Sequence, residues 1–448
     1  MSPQLQPWET KRFLELFTAD PKFRKEVVDK PNQSITAYGI TVTPSDIKEL
    51  WEDAEQSLFE SKSSISINYS NWCTQRRLNA HHWLDKLQRG TPTSFKNWRT
   101  RQSNRYAAQA ADGFARRKRL LPFAIELSEG CSIGCRYCGL SAPPLKSVAR
   151  YKNNSNEKVF KTIISSLKNY IGEAGACGFL YWATDPFDNP DYEIYLQTFK
   201  EYFGIPPQTT TAAWQKNLNR TRKFIELRQT MKGTWDRFSI NSLEELRIVL
   251  DEFSPFDLKD IDLVLQNPES LKIKSCAGRA KNLASNTQLG SIACVSGFLI
   301  NLSQRNIKLI SPCVDFERWP QGYAIFAETN FDDSSQKLTE FFKFCEREIF
   351  CEKLEDNKIL SLRGEINISH QSNNSIHLAT RFANILIEDD IEQKVVTRVN
   401  GISTVSEIVS DICKKSHVNP GHVLHATHTL YKKGIFENLP LPNFSRNV

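Results

Sequence analysis

The order of apolar periods in this sequence predicts an α/β fold with a helical region ahead of it and a small mixed unit behind. Three observations carry that expectation. Up to about residue 119 apolar positions recur every three or four residues; from residue 120 apolar strands alternate with helical stretches; beyond Phe350 short alternating segments precede two helices.

In the first region, Trp8 to about Val27 is helical, with Phe13, Leu14, Leu16, Phe17, Phe23 and Val27 at helical spacing. Asp20 followed by Pro21 supplies a cap and a first-turn proline for a second helix. IKELWEDAEQSLF reads as a further helix, capped by Ser45 or Asp46, and helical character continues through NWRTRQSNRYAAQAADGFARR.

The middle region opens with FAIELS (Phe123 to Ser128) as a strand, then a cysteine-rich loop and the helical VFKTIISSLKNYI. GFLYWA (Gly178 to Ala183) reads as a second strand, followed by DYEIYLQTFKEYF as helix. TTTAAW with NLNRTRKFIELRQTM, and RFSIN with SLEELRIVLDEF, repeat the unit, so a parallel sheet is expected. IDLVLQ, SIACVSGFLINL and NIKLISPC supply later strands with short or missing helices between them, which makes the expected barrel incomplete. In the last region KILSLRGEINI, SIHLATRFANILIE and QKVVTRV alternate, and TVSEIVSDICKKS and PGHVLHATHTLYKKG are helices joined by HVNP. The expected units are therefore residues 1–119, 120–350 and 351–448.

At 448 residues and 40% hydrophobic, the chain is long enough for two or three cores at roughly 100 to 200 residues each. Charged residues at 24% and aromatics at 11% exclude a largely disordered chain. The start, MSPQLQPWETKRFLELF, has no apolar run of signal-peptide type, and no stretch reaches the about 18 apolar residues of a membrane span. A cytoplasmic protein without a membrane partner is the expectation. Eleven cysteines, an odd number, do not read as a disulfide framework; they are ligands, catalysts or buried apolar residues. The net charge of +7 is dispersed apart from Arg116, Arg117, Lys118 and Arg119, a solvated linker or a contact for a phosphate or acidic peptide. Without a concentrated basic face, no nucleic-acid partner is expected.

Cys131, Cys135 and Cys138 stand in C-S-I-G-C-R-Y-C, three soft thiolate ligands within eight residues. A cubane so held keeps one iron without a protein ligand. A zinc site would show two pairs of ligands, and no second CxxC or CxxH follows at finger-like distance. The loop follows a core strand, which puts the cluster at the carboxyl end of a parallel barrel.

With that CxxxCxxC loop the chain resembles the radical S-adenosylmethionine enzymes over about residues 120 to 345. The resemblance implies a partial (β/α)6 barrel, a [4Fe-4S] cluster on Cys131, Cys135 and Cys138, and S-adenosyl-L-methionine bound through the open iron. Tyr137 matches the position beside the adenine. ATDP (Ala183 to Pro186) stands where the family has GGEP, and leaves Thr184 and Asp185 to hold the methionine amino group. Thr209 to Thr211, Thr210 at their centre, and Ser239 with Asn241 match strand-end positions that contact the carboxylate and ribose; as plain residues they are equally helix caps.

ELSEGCSIGCRYCGLSAPPL, LYWATDPFDNPDY and KLISPCVDFERWPQGYAIF further resemble the radical peptide epimerases of proteusin-type ribosomal peptides. That family turns L-residues of a precursor into D-residues by taking the α-hydrogen and returning another from a thiol. The resemblance implies a precursor peptide, leader plus core, as substrate, and a flavodoxin or ferredoxin as electron donor. Cys313, ending NIKLISPC, is the expected thiol, pointing into the top of the barrel, with Cys294, Cys345 and Cys351 as rivals and a buried apolar role as its alternative. FTADPKFRKEVVDKPNQSITAYGITVTPSDIKELWE resembles the nitrile-hydratase-like leaders of proteusin precursors, and is otherwise a helical wrap over the barrel. VNGISTVSEIVSDICKKSHVNPGHVLHATHTLYKKGIF resembles winged-helix peptide-recognition domains. Its His422, His425 and His428 with Lys432 and Lys433 carry too little charge for a strong phosphate interface. Other radical peptide modifications, thioether or carbon-carbon crosslinks, and a non-catalytic metalloprotein that binds peptide or DNA are the competing readings.

Overall fold

The structure, a computed structural model, describes residues 6–52, 63–86, 90–111, 120–152, 156–231, 233–275, 277–282, 287–350, 354–371 and 375–440. Helix α1 (Pro7–Ala19) and helix α2 (Pro21–Asp29) meet at Asp20, whose carboxylate accepts the Lys22 and Phe23 amides at 2.8 and 3.3 Å. The Asp-Pro signal is thus a working cap. The helix expected at IKELWEDAEQSLF is a 3-10 turn, Pro44–Leu50, and its remainder, 53–62, lies outside the described residues. Ile47 leaves helical geometry (φ −129°, ψ 26°) to bury its side chain, and the Trp51 indole closes the turn on the Pro44 carbonyl at 2.9 Å. Neither Ser45 nor Asp46 is the cap; Thr43 holds that position. Helices α3 (Ser64–Lys86) and α4 (Thr93–Gln109) follow, while the basic run at 116–119 lies outside the described residues.

Strand β1 (Leu121–Glu126) is followed by helices α5 (Asn156–Ile171) and α6 (Tyr192–Phe203), then strand β2 (Thr210–Thr211), helix α7 (Leu218–Gln229), strand β3 (Asp236–Ile240), helix α8 (Leu243–Glu252) and strand β4 (Ile261–Leu265). The strand-helix alternation is as the sequence indicates. Strands β2, β3 and β4 form a parallel sheet in chain order, with Thr210 opposite Arg237 and Ile240 opposite Leu265. GFLYWA is not a full strand. It makes one parallel bridge to β1, where the Ile125 amide donates to Phe179 O at 2.8 Å and the Phe179 amide to Phe123 O at 3.2 Å. The Tyr181 hydroxyl then reaches Gln208 and Thr210 at 2.7 and 2.8 Å, spanning the gap to β2 with a side chain where a ladder was expected.

On its other side β1 pairs in parallel with β5 (Val295–Asn301), which runs antiparallel to β6 (Asn306–Pro312), itself antiparallel to β7 (Tyr323–Asn330). This mixed α/β arrangement ends with helix α9 (Gln336–Glu348). One face of the mixed sheet carries Phe123, Ile125, Phe298, Ile300 and Leu309 against the helices. The other face carries Ala124, Leu299, Ile310 and Tyr323 and packs against Leu140 and Trp182. Phe298 is fully buried, with ring centroids 5.4 Å from Phe95, 4.8 Å from Phe342 and 6.2 Å from Phe341. Phe298→Ala is expected to cost about 3 to 5 kcal/mol, read as a lower urea midpoint at unchanged slope.

The first two helices share a core with the parallel sheet: Phe13, Leu16, Phe23 and Ile47 pack with Trp214, Phe238, Leu246 and Ile261. Helix α1 also covers the outer edge of β4. Lys11 Nζ donates to Ile261 O at 2.7 Å, and Glu15, paired to Lys11 at 2.7 Å, accepts the Leu263 amide at 3.0 Å. Of the leader-like stretch 17–52, Phe23 and Ile47 lie in this shared core.

Strands β8 (Asn367–Gln371), β9 (Ser375–Ala379) and β10 (Asn384–Ile387) form an antiparallel meander followed by α10 (Asp390–Arg398), α11 (Val405–Ser416) and α12 (Pro420–Lys432). QKVVTRV is thus helical and not an alternating strand. Asp389 caps it through the Ile391 and Glu392 amides, and Val395 and Val396 turn inward. This unit has its own core, from Leu354 to Phe436. Among the described residues no helix is long and apolar enough to cross a membrane.

Candidate metal centre

Beyond β1, Ser128–Glu129 pairs with Ser147–Val148, and the chain between them is the cysteine loop. Gly130 opens it at φ +80°, where a Cβ would lie 2.1 Å from the Pro144 carbonyl oxygen, so only glycine fits. The Cys131 amide donates to Pro143 O at 2.9 Å, and the Cys138 amide to Cys135 O at 3.2 Å. The Cys138 sulfur accepts the Ala142 amide at 3.4 Å.

The loop is held from outside by two groups that the sequence did not single out. Arg279 gives its amide to Cys138 O at 2.9 Å, Nε to Cys135 O at 3.0 Å and Nη1 to Ala142 O at 2.8 Å. Asp188 accepts the Ser132 amide at 2.9 Å and the Ser132 hydroxyl, which also accepts from Lys216 Nζ at 2.6 Å. A lone arginine some 140 residues downstream carries no local signal.

Burial pushes the Cys131 thiol up to about 11, against the Ile133 amide, which favours the thiolate. Burial likewise raises Cys135 to about 12, helped by the neighbouring Cys131 and Cys138 sulfurs. Among the described residues no three His, Cys, Asp or Glu side chains converge on one ion. In a cubane each cysteine ligates its own iron, so three neighbouring thiols on one clamped loop fit that group.

The other expected residues lie where the parallel segments end. Thr184 Oγ1 accepts the Trp182 amide at 3.5 Å. Asp185 is buried and staples that turn to β2: one oxygen accepts from the Thr211 hydroxyl (2.7 Å) and Phe187 amide (2.9 Å), the other from the Ala212 (2.7 Å) and Ala213 (3.2 Å) amides. Thr210 receives Gln208 Nε2 at 3.0 Å besides the Tyr181 contact. Ser239 O takes the Trp214 indole N–H at 3.0 Å, and Asn241 gives its amide to Glu245 at 2.6 Å. Tyr137 is buried, with the Lys274 ammonium 5.2 Å from its ring centre. Glu126 was missed. It ends β1 on the face of Ala124, accepts the Ala183 amide at 2.9 Å and Asn301 Nδ2 at 3.0 Å, and has its carboxyl raised by burial. An acid inside the apolar FAIEL strand was the available signal.

Cys313 does not point into the expected end of the sheet. Strand β6 runs against β1, so the end that Cys313 follows lies beside Val295 and Leu121, at the amino end of β1. The two-residue period then puts Cys313 with Leu309 on the helix-covered face, fully buried. Cys345 is in the same core, and Cys351 lies outside the described residues. Cys294 sits at that same amino end, its carbonyl accepting the Leu121 amide at 2.7 Å, but it packs, as Cys138 does, against the Trp182 and Tyr323 cluster on the opposite face. Of the histidine trio, His428 accepts the Leu354 amide at 3.2 Å, a packing role.

No family model matches the chain. An uncharacterised protein, y4wI, of Sinorhizobium fredii (strain NBRC 101917 / NGR234) is 34% identical over 344 residues, 72% of this chain. The chain spans 66% of that relative, just under two thirds of its length. BtrN, solved in complex with AdoMet and 2-DOIA, aligns over 33% of this chain and 56% of its own at 13% identity and a TM-score of 0.25, too slight a likeness to define a fold.

Proposed function

We propose that this chain is a radical S-adenosylmethionine enzyme that converts L-residues to D-residues in a ribosomal precursor peptide. The observation that carries the reading is the loop at the carboxyl end of β1 that carries Cys131, Cys135 and Cys138 and is clamped by Arg279 and Asp188. When bound, the cluster and S-adenosylmethionine would supply a radical able to remove an α-hydrogen. The chain's own part is to hold and to return. Arg279 and Asp188 fix the loop, and Asp185 and Tyr181 fix the strand ends around it. In the proposal Cys294 replaces Cys313 as donor, because it packs on the face that holds Cys138. It gives one hydrogen atom to the α-carbon; the resulting sulfur radical is reset by one electron from a flavodoxin or ferredoxin and one proton from solvent. The C-terminal unit, with its meander and helices, is assigned to the leader.

The test is incubation of reduced, cluster-loaded enzyme with S-adenosylmethionine and precursor peptide in deuterated water. Each converted residue should gain one α-deuteron and elute as the D-form after hydrolysis. Loss of two hydrogens from the product mass would mean crosslinking instead, and no α-deuterium would end the epimerase reading.

A further inference from the structure

Three arginines are sealed in the seam between α4 and the C-terminal unit: Arg101, Arg105 and Arg363 are 1%, 0% and 2% exposed. Their surroundings do not use them fully. Arg105 gives Nε and Nη2 to Gln102 Oε1 at 3.0 and 2.6 Å, and Nη2 also reaches Pro312 O at 3.1 Å. Arg363 gives Nη1 to Arg105 O at 3.1 Å and faces Glu365 at 3.5 Å. Arg101 lies over the Tyr431 ring, 4.5 Å from its centre. Six buried guanidinium nitrogens have no hydrogen-bond partner among the described residues: all three of Arg101, Nη1 of Arg105, and Nε and Nη2 of Arg363.

A buried guanidinium without an acceptor is among the costlier arrangements in a protein, because it gives up hydration and gains nothing in exchange. The carboxylates at hand are already shared. Glu365 accepts Gln109 Nε2 at 3.0 Å, and Glu437 faces Arg318 at 3.8 Å and accepts the Leu439 amide at 2.9 Å. Both are at the rim. Three cations therefore face two engaged anions, and every unsatisfied guanidinium atom is a donor. A ligand for such a site accepts only, carries negative charge and is small, since these atoms are closed off from solvent.

We infer that the seam binds a small inorganic anion of the halide class between Arg101, Arg105 and Arg363, and that this ion joins the C-terminal unit to α4. The close approach fits that role: Gly434 (φ +72°) sits where a Cβ would be 2.9 Å from Arg101 O, and Asn104 Nδ2 reaches Lys432 O at 3.2 Å. Binding of this kind stabilises in proportion to anion concentration, the reverse of screening at an ordinary salt bridge. It does not depend on the reaction assigned to the cysteine loop.

The experiment compares thermal unfolding of the full chain in sodium chloride and in sodium gluconate at equal ionic strength, for the natural protein and for Arg101→Met. The natural protein should melt at least about 3 °C higher in chloride, and the variant should show no difference. An equal chloride effect in both proteins, or none in the natural one, overturns the site. Should Arg101→Met fail to fold, crystals of the natural protein grown in bromide decide. An anomalous peak among the three guanidiniums supports the site, and its absence overturns it.

Discussion

Replacing Cys135 by alanine is expected to abolish the visible absorbance of a reconstituted cluster and, with it, formation of 5′-deoxyadenosine. Burial and the neighbouring Cys131 and Cys138 sulfurs raise the Cys135 thiol, and Arg279 already holds its carbonyl. Removing the sulfur takes away one of the three proposed ligands and leaves the backbone clamp intact. The loss should therefore exceed the roughly 10- to 100-fold that removal of an outer-shell partner causes. Arg279→Ala supplies that smaller loss for comparison, since it frees the Cys135 and Ala142 carbonyls but no ligand. Iron per chain, measured with far-UV circular dichroism on the same samples, separates ligand loss from unfolding. A Cys135→Ala protein with full iron and full cofactor cleavage would show that the triad is not the ligand set.

The second large effect distinguishes two thiols. Cys294→Ala should still cleave the cofactor and consume peptide α-hydrogen, while D-residue formation falls below detection. Cys313→Ala should retain epimerisation and lose about 1 to 2 kcal/mol of stability, because it leaves a small cavity between the sheet and α4. Burial pushes the Cys313 thiol up to about 11, although Arg105 beside it favours the thiolate. The opposite outcome, an inactive Cys313→Ala that still cleaves the cofactor, would return the donor role to Cys313. It would also require α4 to move off the sheet during turnover.

What the sequence revealed of this molecule was local. Asp20-Pro21 and the strand-helix alternation were readable because caps and periods act within a few residues; Asp20 accepts the Lys22 and Phe23 amides as a cap should. The cysteine spacing was readable for the same reason. The 3-10 turn at Pro44–Leu50 was not, since its form depends on Ile47 reaching a core shared with Phe238 and Leu246. Nor did the sequence reveal which face Cys313 occupies. That follows from the parallel pairing of β5 with β1 and the antiparallel return of β6 on β5, and the side of β1 on which a distant strand pairs leaves no mark in its own residues. The identity of Arg279 as a clamp has the same character. Within GFLYWA the apolar run was correctly seen, but a single bridge to Phe179 carries it in place of a ladder.

The cover over β4 has a consequence for how the chain comes together. Lys11 and Glu15 bind strand atoms 250 and 248 residues further along, so the contacts of helix α1 are completed only when β4 exists. Closing so long a loop costs entropy before any contact repays it, and slows folding. Until then the rim of β4 presents unpaired amide and carbonyl groups, a template for a strand from another copy. Chains trimmed ahead of residue 20 would keep that template open permanently, and their yield would be limited by self-association rather than by the chemistry at the cysteine loop.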